Sequence, residues 1–319
     1  MPPVIGKWKM ESQRKEYGQA LVELGKKKTD IVVLDADLSS STQTGMFAEA
    51  FPERFFNCGI AEANMMDTAA GLAASGKTVF ASTFAVFGTG RCYDQIRQSI
   101  AYPKLNVKIV VSHAGITVGG DGASHQTIED IALMRVLPNM TVIVPADAPQ
   151  TRNVIFKIVD FHGPTYVRIG RADVPTITNA DEKFEIGKAS VVRDGDDITL
   201  IGTGIMVSKC LLAAEELKKH KISTKVVNMS TIKPIDEKTI VKCARETGAI
   251  ITAEEHSILE GLGSAVAMIL GENATIPMRR VGIPDIFGES GDSEELMIKY
   301  GLTSENIVNA SHEVLSRKK

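Results

Sequence analysis

Short apolar runs rich in β-branched residues alternate with helical patterns along most of this chain, and this alternation constrains the fold more than any other feature. Between residues 29 and 170 the runs that predict strands are Ile31–Leu34, Thr78–Ser82, Val107–Val111, Val142–Val144 and Thr165–Ile169. The helical patterns lie near Glu16–Leu24, Glu62–Ala74, Tyr93–Ile100 and Ala148–Val159. Because continuously apolar strands joined through helices are typical of parallel sheets covered on both faces, we predict a mostly parallel α/β domain over residues 8–175.

The alternation stops between Ala172 and Gly187 and then resumes, which predicts a linker followed by a second, smaller α/β domain over residues 188–319. Its candidate strands are Ile198–Ile201, Thr224–Asn228, Ala249–Thr252 and Met278–Val281. Its candidate helices are Val207–Lys218, Glu237–Thr247, Ser264–Leu270 and Ser304–Leu315. A chain of 319 residues is long enough to form two such cores.

Composition narrows the class of protein and of partner. A net charge of −3 with 44% hydrophobic residues gives no electrostatic reason to expect nucleic acid or an anionic membrane as a partner. The amino terminus carries no apolar signal region, and no apolar run approaches the length of a membrane span. The four cysteines form no Cys-x-x-Cys pair and match no common zinc pattern. We therefore predict a cytoplasmic protein.

A glycine-rich segment directly after the predicted strand Val107–Val111 is the strongest candidate for a functional site. This segment, residues 112–126, is called the glycine loop below and carries His113, Asp121 and His125. Its glycines, which let a backbone turn tightly or approach a ligand closely, are Gly115, Gly119, Gly120 and Gly122. Ligands bind at the carboxyl ends of strands in open α/β sheets, so the sequence predicts a substrate-binding loop here. A metal site is the weaker interpretation, because the spacing matches no common helical metal motif.

Two further segments allow more than one interpretation when they are taken alone. Glu62 precedes a helical pattern rich in small residues, where a carboxylate commonly stabilises the amino-terminal helix dipole. Phe84 and Phe87 follow the predicted strand Thr78–Ser82, where apolar residues are usually part of the core. The functional alternatives are a catalytic carboxylate and a flat slot for an aromatic ring.

Taken together and in this order, these motifs resemble the carboxyl-terminal half of transketolase, from about Glu11 to the end of the chain. The resemblance rests on Leu34-Asp-Ala-Asp-Leu38, on Gly59-Ile-Ala-Glu62, on Phe84 with Phe87, and on the glycine loop. It implies that residues 8–175 form a pyrimidine-binding domain and that residues 188–319 form the transketolase C-terminal domain. It also implies a thiamine-diphosphate-dependent enzyme that transfers a two-carbon ketol unit between sugar phosphates.

The resemblance also implies a role for individual residues. Glu62 matches the glutamate that activates the cofactor, Phe84 and Phe87 match aromatic residues that wall the aminopyrimidine ring, and Asp37 matches an aspartate near the thiazolium ring. The residues that match positions around the sugar phosphate are Arg14, Ser41, His113, Asp121, His125 and Arg171. Within that set, His113 and His125 are expected to be catalytic, because histidines near a carbonyl can transfer protons.

A whole transketolase also has a diphosphate-binding domain, which holds the magnesium ion. In the amino-terminal part of this chain there is no Gly-Asp-Gly followed by Asn, the pattern expected for that domain. The resemblance therefore implies a separate N-terminal subunit that holds Mg²⁺, and a homodimer of this chain within an α₂β₂ assembly. Ala114, Ala123 and Ser124 depart from the family pattern and leave the sugar preference open.

Two other classes of function remain as alternatives. The first is another thiamine-dependent enzyme, either similar to deoxyxylulose-phosphate synthase or to the E1 β-subunit of 2-oxo acid dehydrogenases. Arg14, Ser41 and Arg171 favour a phosphorylated sugar over the dehydrogenase substrates, since arginine pairs bidentately with phosphate oxygens. The second is a pyrimidine-domain protein that binds a partner and has no catalytic activity.

Overall fold

The computed structural model describes residues 6–318, and within them the chain forms three sheets. The strands are β1 (Met10–Glu11), β2 (Ile31–Asp35), β3 (Phe55–Asn57), β4 (Thr78–Ser82), β5 (Val107–Val111), β6 (Thr141–Ile143), β7 (Thr165–Arg168), β8 (Val174–Pro175), β9 (Ser190–Arg193), β10 (Ile198–Gly202), β11 (Thr224–Asn228), β12 (Thr231–Lys233), β13 (Ile250–Ser257) and β14 (Met278–Ile283). The α-helices are α1 (Gln13–Lys27), α2 (Ser39–Thr42), α3 (Gly45–Ala50), α4 (Glu62–Ala74), α5 (Tyr93–Gln95), α6 (Asp130–Val136), α7 (Ala148–Ile158), α8 (Met206–Lys219), α9 (Glu237–Thr247), α10 (Leu262–Asn273), α11 (Ser293–Lys299) and α12 (Ser304–Leu315).

The larger sheet has seven strands in the order β12-β6-β7-β5-β4-β2-β3. Its neighbours are parallel except for β12, which pairs with β6 in the antiparallel sense. Strand β2 is buried throughout, and its side chains alternate between two core layers: Val32 and Leu34 contribute to one, Ile31 and Val33 to the other. A strand that is apolar on both faces requires cover on both sides, which explains why the continuous apolar runs predicted a parallel sheet correctly.

The order of strands places a crevice at one edge of this sheet. Strands β3 and β4 flank β2 on opposite sides, so the connections that leave β2 and β4 run in opposite directions along the sheet. Such a reversal opens a space at the carboxyl ends of the two strands, where ligands bind in open α/β folds.

The smaller sheet has five strands in the order β14-β13-β10-β11-β9, parallel except at β9. The sequence predicted β10, β11, β13 and β14, and the α/β fold of both halves is confirmed. It did not predict β9 or β12, which are short antiparallel edge strands. Strand β12 lies in the carboxyl-terminal half of the chain but joins the larger sheet through Thr231 and Lys233.

The segment predicted as a linker contains ordered contacts. Val174 and Pro175 form β8, which pairs with β1 in an antiparallel ladder. The carboxylate of Asp147 accepts hydrogen bonds from the backbone N–H groups of Ile177 and Thr178, at 2.7 and 2.6 Å. The segment between residues 172 and 187 is therefore ordered although its sequence has no helix or strand pattern, because side chains distant in the sequence accept hydrogen bonds from its backbone.

Within residues 6–318, none of the helices combines the length and the apolar character needed to cross a membrane.

Candidate active site

Most of the predicted site residues follow strands that end at the same edge of the larger sheet. Asp37 and Ser41 follow β2, Glu62 begins α4 after β3, and Phe84 follows β4. The glycine loop follows β5, and Arg171 follows β7. Because these strands are parallel, their carboxyl ends meet at one edge, and the fold brings distant residues together there, as in the hydrogen bond from the N–H of Gly170 to Oε1 of Gln13, 157 positions away.

Four rings form an aromatic cluster, Phe84, Phe87, His113 and His125, at this edge. The rings of Phe84 and Phe87 are stacked with centroids 6.0 Å apart, and His113 stacks on Phe84 at 3.7 Å. The edge of His125 meets Phe87 at 5.3 Å. Phe84 is buried and Phe87 half-buried, so the cluster offers part of an aromatic face at the surface. The rings of Phe84 and Phe87 therefore pack together as core residues do, and a slot for an aromatic ring stays a prediction.

Glu62 lies beside the aromatic cluster and is 4% exposed. Its Oε1 accepts a hydrogen bond from Nη1 of Arg91 at 3.0 Å, and the Arg91 guanidinium also lies 4.2 Å from the centroid of the Phe87 ring. Glu62 is the first residue of α4 and the residue before it, Ala61, makes no side-chain capping bond. Arg91 was not predicted as a site residue, because a single arginine after a predicted strand carries no pattern. Phe87–Arg91 forms a π-helical turn, a feature that often occurs at functional sites.

Positive charge gathers on the other side of the aromatic cluster. Burial, with smaller contributions from the positive charges of Arg14 and Arg171, lowers the pKa of His113 to about 3. Burial also lowers the pKa of Arg14, with a smaller contribution from Arg171. Arg14 donates from Nη1 to the backbone oxygen of Ser41 at 2.7 Å, while its buried Nε has no hydrogen-bond partner. An unpaired buried donor among several cations is the arrangement that a phosphate or similar anion would satisfy.

The remaining two predicted residues lie at the surface of this region. Asp37 is exposed, has a φ of 64°, and accepts a hydrogen bond from Nδ2 of Asn57 at 2.9 Å. Asp121 is exposed at the end of a 3₁₀ turn, Ile116–Asp121, in the glycine loop. Neither residue belongs to the aromatic cluster, so both would contact a ligand only at the outer part of the site.

The arrangement can bind an aromatic nitrogen heterocycle next to an anionic substrate. Glu62 supplies a buried carboxylate and Phe87 an aromatic face, which fit the aminopyrimidine of thiamine diphosphate. Within the described part of the chain, no group of three or more His, Cys, Asp or Glu residues is arranged to hold a metal ion.

Two family models match most of the chain. "Transketolase, pyrimidine binding domain" matches residues 10–176, and "Transketolase, C-terminal domain" matches residues 187–307. A protein of Methanocaldococcus jannaschii described as a transketolase C-terminal section is 52% identical over 311 residues, which cover 97% of this chain and 98% of that protein. The 6-deoxy-6-sulfo-D-fructose transketolase subunit of Clostridium sp. (strain MSTE9) is 45% identical over 305 residues, 96% of this chain and 95% of that subunit.

Among solved structures, one described as "Split gene transketolase, inactive beta4 tetramer" superposes with a TM-score of 0.91 at 54% identity. The superposition covers 97% of this chain and 99% of that chain. The chain belongs to the transketolase family, with the family's pyrimidine-binding and C-terminal domains.

Proposed function

We propose that this chain is the C-terminal subunit of a split transketolase and supplies half of its active site. The observation that carries the proposal is the convergence of a buried carboxylate, Glu62, an aromatic pair and the neighbouring cations Arg14 and Arg171 at one edge of the larger sheet. Membership of the transketolase family supports a transferase that depends on thiamine diphosphate. That cofactor, when bound, supplies the carbanion chemistry of two-carbon transfer, while the protein provides binding and orientation.

Glu62, Phe84, Phe87 and Asp37 would hold the cofactor. The carboxylate of Glu62 would accept a hydrogen bond from the pyrimidine ring in a site that excludes water, where such a bond is stronger than at the surface. Phe84 and Phe87 would form the wall against which the ring stacks. Asp37 would lie towards the thiazolium side.

The sugar substrate would lie over the glycine loop. Arg14, Ser41 and Arg171 would bind its anionic end, because planar guanidinium groups pair well with tetrahedral anions. The Clostridium relative is named for a sulfonated sugar, and a sulfonate presents the same tetrahedral set of oxygens as a phosphate. We propose a sugar phosphate for this chain, and the sulfonated sugar is the comparison substrate that tests the choice.

The two histidines would have different roles, although both are expected near the reacting oxygens. With a pKa of about 3, His113 is neutral near pH 7 and would act as a hydrogen-bonding group towards the sugar. His125 is half-buried at the edge of the cluster and would be the catalytic histidine that faces the reacting oxygens. Asp121 would bind a sugar hydroxyl.

The proposal assigns the diphosphate and Mg²⁺ to a separate N-terminal subunit. Its support is that the chain spans 98% of a protein described as a C-terminal section and 99% of a split-gene chain. The expected assembly is α₂β₂, with this chain forming a homodimer within it in the cytoplasm. Neither membrane nor nucleic acid is expected as a partner.

The decisive experiment is ketol transfer from xylulose 5-phosphate to ribose 5-phosphate with thiamine diphosphate and Mg²⁺. It is run on this chain alone, on the N-terminal subunit from the same source alone, and on the mixture. Activity in the mixture only is the expected result. A mixture that forms a complex but transfers no ketol unit from phosphorylated or sulfonated donors would contradict the proposal and favour another thiamine-dependent reaction.

A further inference from the structure

We propose that the C-terminal domain positions the glycine loop for sugar binding, with Glu255 and Ser293 as positioning residues. The proposal rests on the proposed function for the identity of the substrate. The contacts themselves are independent of it. They give the C-terminal domain a part in the active site through the loop, without direct contact with the reacting atoms.

Both backbone groups of Thr117, in the middle of the glycine loop, are held by this domain. The N–H of Thr117 donates to Oε1 of Glu255 at 2.8 Å, and its carbonyl accepts from Oγ of Ser293 at 2.9 Å. These partners are 138 and 176 residues away along the chain. The two peptide groups on either side of the Thr117 Cα are each held by one of these hydrogen bonds, and neither can rotate without breaking it, so the two side chains set the orientation of the loop.

The glycines of the loop admit these side chains. A Cβ atom on Gly115 would lie 2.2 Å from Oε1 of Glu255, and one on Gly119 would lie 3.1 Å from Oγ of Ser293. A Cβ on Gly122 would lie 2.4 Å from Oγ of Ser290. All three glycines have φ between 71° and 80°. The glycines therefore allow a close approach to the backbone, as their pattern predicted. At these three positions, however, the approaching group is a side chain of the C-terminal domain and not a ligand.

Gln126 fastens the far end of the loop in the same way. Its buried side chain donates from Nε2 to the carbonyl of Glu289 at 2.9 Å and to the carbonyls of Ile116 and Gly119 at 3.3 Å each. The amide thus ties two turns of the loop to the segment that precedes α11. Three separate attachments, at Glu255, Ser293 and Gln126, resist displacement of the loop from the C-terminal domain.

Glu255 is suited to hold a backbone N–H because it is buried and held in place itself. Burial raises its pKa, while the positive charge of Arg168 and the N–H of Thr117 act in the opposite direction. Arg168 donates to the backbone oxygen of Glu255 and to Asp130, each at 2.8 Å, so the residue has little freedom to move. A buried carboxylate needs such partners, since an unpaired buried charge is strongly unfavourable.

The attachments bear on substrate binding through the residues on either side of Thr117. His113 lies just before the attached part of the loop, and Asp121 and His125 lie within it. Arg171 donates to the carbonyl of Val118 at 2.9 Å. A shift of the loop would therefore also move one of the arginines proposed to bind the anionic end of the sugar. Glu62 and Phe87 are outside the loop and would keep their positions. Loosening the loop is therefore expected to weaken sugar binding and to leave cofactor binding unchanged.

Hydrogen exchange on the full chain without its partner tests the attachments directly. In Glu255→Ala we expect the Thr117 amide to exchange about tenfold faster or more, because its buried charged acceptor is gone. Glu255→Gln retains an acceptor oxygen and should restore most of the protection. Ser293→Ala, which removes one hydroxyl, should accelerate exchange severalfold and serves if Glu255→Ala does not fold. Glu294→Ala, an exposed neighbour of Ser293, is the matched control. Unchanged exchange of Thr117 in both Glu255→Ala and Ser293→Ala would overturn the proposal.

Kinetics with the N-terminal subunit test the link to sugar binding. For Ser293→Ala and Glu255→Ala we expect the KM for the sugar phosphates to rise more than kcat falls, and the Kd for thiamine diphosphate to stay within a factor of about two. A loosened loop with an unchanged KM would overturn the positioning role. If the wild-type mixture transfers no ketol unit, the proposed function fails, whereas the exchange experiment still decides whether the C-terminal domain holds the loop.

Discussion

The aromatic cluster and the glycine loop are neighbours in the site, but they are held in place differently. Phe84 and Phe87 are three residues apart, and Glu62 and Arg91, which extend the cluster, are 29 apart. Thr117 of the glycine loop is instead held from 138 and 176 residues away. The phenylalanine pair and the Glu62–Arg91 pair are thus held within the larger sheet and its connections, whereas the loop, which supplies the two histidines of the cluster, depends on the second domain. Substitutions in the two regions should differ in what they disturb.

The largest effect is expected at Glu62, whose substitution should abolish most of the ketol-transfer activity and leave the fold intact. Glu62→Ala should lower ketol transfer in the mixture by about 10²- to 10⁴-fold, the usual range for a group that acts in proton transfer. Complex formation with the N-terminal subunit should persist, as measured by size-exclusion chromatography. Asp67→Ala, an exposed position on the same helix, is the control. Retained activity in Glu62→Ala would show that Glu62 is not the carboxylate on which the reaction depends.

The next largest effect is expected in the glycine loop, where a substitution should lower the stability of the fold. In Gly115→Ala the new Cβ would meet a fixed carboxylate while the residue has a φ of 80°, so we expect the free energy of unfolding to fall by about 2–4 kcal/mol. Gly120→Ala is the matched control, because nothing lies within 4 Å of its Cβ position. Urea denaturation measures both. Adding Glu255→Ala to Gly115→Ala should restore part of the lost free energy of unfolding. Equal losses in Gly115→Ala and Gly120→Ala would contradict the close packing of Glu255 against Gly115.

His113 belongs to both the aromatic cluster and the glycine loop, and its burial there should make the stability of the protein depend on pH. Its pKa of about 3 lies below the unfolded value of about 6.5, so the unfolded chain binds the proton first and stability is lost as the pH falls below about 6.5. Between pH 7 and 5.5 the wild type should lose about 1 kcal/mol more than His113→Gln. The measurement is urea denaturation at both pH values, with the exposed His162→Gln as control. A parallel decline in wild type and His113→Gln would show that His113 is not held neutral.

The smallest effect is expected at Arg91, which is about half-exposed and pairs with Glu62. Arg91→Met should change the free energy of unfolding by less than about 1 kcal/mol, as is usual for exposed ion pairs. Because Arg91 competes for the Glu62 carboxylate, its removal should tighten thiamine diphosphate binding by up to about fivefold. Calorimetry on the mixture measures this, with the exposed Arg97→Met as control. Weaker cofactor binding in Arg91→Met would instead make Arg91 part of the cofactor site.

The regions also differ in how far they could be predicted from sequence. Strand β2 follows from a local pattern, because a continuously apolar run carries its own signal, whereas the site role of Phe84 and Phe87 was taken from the family resemblance. The prediction of an α/β fold is confirmed for the same reason. Strands β9 and β12 were missed because a three- or four-residue edge strand is determined by the strand it joins.

For the site, the sequence indicated the glycine loop but not what approaches it. Gly115 and Gly119 revealed that something lies close to the backbone, and only the fold identified Glu255 and Ser293 as the neighbours. Arg91 gave no signal, since its role follows from a π-helical turn that brings it to Glu62. Residue roles taken from the family resemblance remain predictions, to be tested by the substitutions above.

Strand β12 means that the boundary between the two halves in space differs from the boundary along the chain. A chimaera in which all residues after position 187 come from a relative would replace Thr231–Lys233, the edge strand that pairs with β6. It would also remove Lys233, whose Nζ donates to the carbonyl of Arg135 at 2.8 Å. An edge strand left without a fitting partner is a template for aggregation. A chimaera with its crossover at residues 176–187 should therefore be more soluble when Thr231–Lys233 is restored to the sequence of the parent that supplies β6.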